Sequence, residues 1–146
     1  MNISTHFTLE EMTRSQTASR RGISNRPDVD SLNRLRLPCE HVLEPVRTLL
    51  GHPIHITSGY RSPQLNTAIG GTNRSQHCHG QAADFVCPGF GTAKEVAQAI
   101  FDSNIQYDQI IYEGSWIHIS HSKEPRRNVL TAIFDDGKTA YRSGIV

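Results

Sequence analysis

Cysteine is scarce in this sequence: Cys39, Cys78 and Cys87 make an odd set with no CxxC pair. That excludes a disulfide framework and a cysteine-cage zinc site. No apolar run approaches the roughly 20 residues that cross a bilayer, so membrane insertion is not expected. The opening MNISTHFTLEEMTRS has no basic start followed by an apolar stretch, and the expectation is cytoplasmic synthesis without a signal peptide. An excess of one charge is missing too. Fifteen Lys and Arg stand against fourteen Asp and Glu, which leaves no long-range field toward phosphate backbones. Nucleic acid is therefore not an expected partner. Repeats and low-complexity segments are absent. What remains is 146 residues, 36% hydrophobic and 20% charged, the profile of one globular domain over 1–146, expected to be a monomer.

What is present in quantity is histidine, with eight residues. Thr8 with Glu11, and Thr92 with Glu95, are capping boxes that predict helices through Met12 and to about Ser103. The polar stretch SQTASRRGISNRPDVD reads as a surface loop. Apolar residues from Leu32 to Leu49 recur at helical spacing, with a kink or break expected at Pro38. Ile54–Ser58 alternates like a strand, Pro63 opens a brief helix through Ile69, and Thr72–Gly80 reads as an exposed loop. Ala82–Val86, Ile110–Tyr112, Trp116–Ser120, Val129–Phe134 and Thr139–Tyr141 are candidate strands, the last two joined by a hairpin at Asp135–Gly137. Helices first and strands later give an α+β pattern, with a small antiparallel sheet and flanking helices expected. The pairs Arg20/Arg21 and Arg126/Arg127 read as solvated surface.

Hydrolytic zinc takes three protein ligands from His and carboxylate and leaves a position for water. In SQHCHGQAADF, His77 lies on a loop and Asp84 on the following strand, with Gly80 between them to turn the chain. In WIHIS, strand alternation puts Trp116, His118 and Ser120 on one face and Ile117 and Ile119 on the other. With the isoleucines in the core, His118 faces a cleft. The HCH cluster at 77–79 with Cys87 offers a thiolate alternative, but consecutive residues rarely aim at one metal.

Ser75, His77, Gly80, Ala82 and Asp84 form SxHxxGxAxD, followed by WxH at Trp116 and His118 and preceded by SGYRSPQLN. This combination resembles the M15 zinc D-Ala-D-Ala peptidases, and VLEPVRTLL and YEGSWIHIS extend the likeness over most of the chain. The resemblance implies the fold of Hedgehog-type domains and DD-peptidases, one Zn2+ held by His77, Asp84 and His118, an active-site arginine at Arg61, and a catalytic glutamate. The glutamate of the tight form of the motif stands three residues before the histidine, where this sequence has Ser115. Glu113, five residues ahead, is the candidate, with a bulge around Gly114 expected to restore its placement.

Two imidazoles and a carboxylate leave zinc with a net charge near +1, able to lower the pKa of a water to about 7. In that scheme Glu113 shuttles the proton, and Arg61 holds either the developing oxyanion or a peptide carboxylate. The function implied is a zinc metallopeptidase cutting an amide bond in peptidoglycan stem peptides, as a D-Ala-D-Ala carboxypeptidase or an endolysin-type endopeptidase. It would act on the wall after release or as part of a phage particle. The alternative is a non-catalytic, zinc-stabilised wall-binding or phage structural module.

Overall fold

Side-chain caps open most of the helices, as their sequences predict. The computed structural model describes residues 1–72 and 75–146. Thr8 Oγ1 accepts from the Glu11 N–H at the start of α1 (Leu9–Thr13). Asp28 caps α3 (Val29–Pro38), Ser62 caps α5 (Pro63–Ala68), and Thr92 with Glu95 forms a reciprocal capping box on α6 (Ala93–Phe101). Ser15 caps α2 (Gln16–Arg21), which ends on left-handed Gly22. That helix corrects the loop expected over residues 15–30. It buries only Ala18, so it carries no apolar stripe to reveal it.

Pro38 does not break the chain's longest helical run. The run widens instead into a π-turn over Cys39–Leu43 before α4 (Glu44–Leu50), and the Glu44 N–H reaches back to the Cys39 carbonyl. Pro45, which has no N–H and whose ring crowds the carbonyl four residues back, favours this wider turn. Val42, Leu43 and Val46 remain fully buried through it.

The strands are β1 (His55–Ser58), β2 (Ala82–Val86), β3 (Gln109–Tyr112), β4 (Ile117–Ser120), β5 (Asn128–Asp135) and β6 (Lys138–Ser143). They form one six-stranded sheet in the order β1-β2-β4-β3-β5-β6. This corrects the small antiparallel sheet expected from the sequence: the sheet is larger and mixed, because β5 runs parallel to β3. The reason lies in the connection. β4 ends beside the start of β3, and the short segment 121–127 steps across that end to begin β5 on the far edge. Strand alternation carries no record of such a step. The hairpin expected at Asp135–Gly137 is present, with Asp135 still paired to Lys138 and Asp136 and Gly137, both at positive φ, as its two-residue loop.

One face of the sheet carries Phe85, Ile110, Ile117 and Ile119, which pack with the helices into a buried core. Asp84 pairs with His118, and His118 with Ile111, across the opposite face. No helix among the described residues is long and apolar enough to cross a membrane.

Candidate metal centre

His77 comes from the 72–80 segment, expected to be an exposed loop. Its residues 73 and 74 lie outside the described residues, but His77 and Gly80 are buried. A sequence without apolar side chains is held there by backbone bonds. Arg61 N–H donates to the His77 carbonyl (3.1 Å), Gln81 N–H to the Gln76 carbonyl (2.9 Å), and Arg34 Nε to the His79 carbonyl (3.2 Å). Ser75 Oγ accepts from the His77 N–H at 3.3 Å.

The structure brings His77, Asp84 and His118 into one cluster. Their donor atoms lie within 4.8 Å of one another. Asp84 Oδ1 sits 3.3 Å from His77 Nε2 and 3.0 Å from His118 Nδ1, and Asp84 Oδ2 is 3.9 Å from an Arg61 nitrogen. Burial alone would raise the Asp84 carboxyl, but the imidazoles of His118 and His77 beside it outweigh that and hold the group well below the usual carboxylate range.

The tautomer of His77 tests whether a metal fits. Its Nδ1 lies 2.7 Å from the Gly59 carbonyl, which can only accept, so Nδ1 carries the proton. In the neutral ring, Nε2 then turns a lone pair toward a carboxylate oxygen at 3.3 Å. Two acceptors face each other, an arrangement that asks for a cation between them. Bonds of about 2.0–2.1 Å at tetrahedral angles separate their ligands by about 3.4 Å, close to the spacings seen here. The carbonyl behind His77 is the outer partner that orients a metal-binding imidazole. Gly59 is required there: a Cβ on it would stand 2.3 Å from the Met12 carbonyl oxygen.

Glu113 is placed by a hairpin, not by a bulge. Tyr112 pairs with Ile117, and the Glu113 N–H donates to the Trp116 carbonyl at 3.0 Å, leaving Gly114 (φ 83°) and Ser115 as a two-residue loop. Glu113 therefore stands opposite Trp116, on the face shared with Ile111 and His118, as a diagonal neighbour of His118. Five residues of sequence separation become about two rows of sheet. Burial pushes the Glu113 carboxyl above its usual range, and the charge of Asp84 adds to that, while His118, Trp116 and Arg61 pull the other way.

Residues 5–120 match the family model described as Peptidase M15. The chain belongs to the peptidase M15 family. A comparison with curated proteins finds no match. Family membership makes the chain a hydrolase of metallopeptidase type, consistent with the His-Asp-His cluster. The match ends at Ser120, so the β5–β6 hairpin, whose Tyr141 lines a cleft beside His118, lies outside it.

Several residues around this M15 site escaped the sequence reading. Asn25, in the supposed loop, donates to the Thr13 and Tyr60 carbonyls and accepts from the Ser62 N–H, tying the segment before Arg61 in place. Arg126 and Arg127 are not simply solvated. Arg127 donates to the carbonyls of Phe101, Ser103 and Ile105 and lies over the Tyr107 ring. Arg126 grips Asp108 with two guanidinium bonds of 3.0 and 2.7 Å, and Gln76 reaches the same carboxylate at 2.9 Å. No sequence motif links residues 76, 108 and 126; the β4–β5 step brings them together. His121 stacks on His41, with centroids 5.4 Å apart, and Cys78 is not among the clustered donors.

Asp108 thus anchors the residue next to His77. The Arg126 bond, followed by that from Gln76, lowers its pKa against the effect of burial. A depressed carboxylate adds stability above its unfolded pKa, about 4, and loses it as pH falls through the folded value. Asp108→Asn is expected to cost about 1.5–3 kcal/mol at pH 7, with the difference from wild type shrinking below pH 4. Urea unfolding at the two pH values measures it; a difference independent of pH would remove the ionic role.

Proposed function

We propose that this M15 chain is a zinc metallopeptidase that hydrolyses an amide bond within peptidoglycan stem peptides. The observation that carries the reading is the set of His77 Nε2, Asp84 Oδ1 and His118 Nδ1 converging at 3.0–3.3 Å, with the half-buried Glu113 on the same sheet face. When bound there, zinc would polarise the scissile carbonyl and acidify a water. The chain's own residues do the rest. Glu113 takes the proton from the attacking water and delivers it to the leaving amine nitrogen. Arg61, held by its backbone bond to His77, presents its guanidinium to the oxyanion that develops on the carbonyl.

Clefts of about 510 Å³ open on each side of Arg61, one toward β1 and one toward β3 and β6. Room on both sides suits a peptide running through the site and favours endopeptidic cleavage over release of a terminal residue. The place of action would be the cell wall, reached after release from a cell or as part of a phage particle. Digestion of purified sacculi tests the reading. New amine and carboxyl ends, abolished by a chelator and restored by zinc, are expected; co-sedimentation without product would leave only a wall-binding module.

A further inference from the structure

We infer that the β5–β6 hairpin forms a sugar-binding subsite beside the metal cluster, with Tyr141 and Phe134 as a platform for an N-acetylated amino sugar. The enzyme then reads the glycan that carries the stem peptide as well as the peptide itself. This rests on the peptidase reading above and names the second part of its substrate.

Register puts these aromatics on the metal-bearing face. The row Asp84, His118, Ile111, Leu130 and Ser143 crosses the sheet from β2 to β6. Ala132 and Phe134 follow Leu130 on the same face of β5, because strand side chains alternate, and Tyr141 is the register partner of Ala132. Phe134 and Tyr141 are therefore diagonal neighbours on that face, and both are exposed. Exposed apolar side chains are ordinary when scattered, but two that adjoin each other and a cleft mark a contact surface. Tyr141 lines the cleft that holds His118 and Arg61. Phe134 lies by the loop that places Glu113, where a Cβ added to Gly114 would meet its ring at 4.0 Å. The hairpin follows Ser120, where the family match ends, so the platform is a feature of this chain beyond the matched segment.

The charge of this cleft selects a neutral ligand. The two arginines among its described lining residues both face carboxylates: Arg126 is gripped by Asp108, and Arg61 lies 3.9 Å from Asp84. The other polar lining is hydroxyl and amide, from Thr72, Ser75, Gln76 and Gln109. Gln109 donates to Asn128 at 2.8 Å, and among the described residues its side-chain oxygen accepts no bond. Hydroxyls and amides around an aromatic face match a pyranose, which offers hydroxyls at its rim and C–H bonds on its flat side. An acetamido group adds one amide donor and one acceptor. A charged peptide side chain finds no unpaired counter-charge among the described lining residues. From β4 to β6 there are three strand spacings, about 14 Å, which about four extended residues span. A sugar on Tyr141 and an amide bond at the metal therefore belong to one stem.

Two ligands test the subsite: a stem tetrapeptide carried on a disaccharide of N-acetylated sugars, and the same tetrapeptide without sugar. Binding is measured calorimetrically on the zinc-loaded protein carrying Glu113→Gln, which stops turnover. The sugar-bearing ligand should bind about three- to tenfold tighter, the scale of one aromatic contact, and that advantage should change little as salt rises. Saturation transfer in the same sample should reach the ring C–H protons of the sugar. Adding Tyr141→Thr, which removes the ring and keeps a strand-forming residue, should bring the two ligands within twofold and leave the bare peptide unchanged. Tyr141→Phe should keep most of the advantage. Phe134→Thr should lower it in part, and it supplies the measurement if Tyr141→Thr fails checks of zinc content and circular dichroism. Equal binding of the two ligands, no binding of either, no transfer to the sugar, an advantage that survives both threonine variants, or an equal loss for both ligands would overturn the subsite. A sacculus digest without product, with the sugar advantage intact, would remove the peptidase reading alone.

Discussion

Glu113→Gln is expected to leave zinc bound at one equivalent while muropeptide hydrolysis falls by about 10²–10⁴. Glutamine preserves the shape of the side chain and removes its ability to carry a proton between water and leaving amine. The size of the effect depends on where the hairpin puts the carboxyl. With Glu113 bonded through its backbone to Trp116, its side chain emerges on the face of His118, and Asp84, His118 and Arg61 all influence its proton affinity. Metal analysis and a product assay on the same preparation make the measurement. A rate within a few-fold of wild type would take Glu113 out of the mechanism and leave the proton to another group. Gly114 offers a control of placement rather than chemistry: it holds φ 83°, and Gly114→Val should distort the loop and lower the rate while Glu113 itself is retained.

Removing the metal should have the second large consequence, on stability as well as rate. A ligand present at about a thousandfold over its dissociation constant stabilises the state that binds it by about 4 kcal/mol. In a chain of this length that corresponds to roughly 8–16 °C in Tm. The His77 lone pair facing Asp84 Oδ1 gives a reason for the coupling, because the cation replaces an acceptor–acceptor contact at the centre of a buried cluster. Thermal melts with zinc and with excess chelator measure the difference. In His77→Ala the two melts should nearly coincide, each variant being compared with itself so that lost packing does not enter. Coincident melts for the wild-type chain, together with no stoichiometric zinc, would count against the cluster as a metal site.

Much of the architecture is local and so was readable in advance. The N-cap at Thr8, the full capping box at Thr92, the alternation in WIHIS, and the hairpin at Asp136–Gly137 depend on contacts within a few residues and are present in the folded chain, although Glu11 does not return the reciprocal bond to the Thr8 backbone. Helix α2 was hidden because a short helix with one buried alanine has no periodicity to detect. The solvated reading of Arg126 and Arg127 failed for the opposite reason. Their partners are 18 to 26 residues away, beyond any local pattern.

The sequence by itself determined the chemistry that is available. It put His77 and Asp84 on either side of a glycine turn, set His118 opposite Ile117 and Ile119 by strand period, and left three cysteines that form no cage. Only the tertiary structure decided how those groups face one another. Strand register set Asp84 against His118, and the tight β3–β4 hairpin turned a spacing that looked too long for Glu113 into a diagonal position on the same sheet face. The step of the chain across β3 made the sheet mixed and brought Asp108, Arg126 and Gln76 together behind the metal loop. Register and crossover are choices among pairings that differ in long-range contacts, whereas period and capping are set by neighbours in sequence.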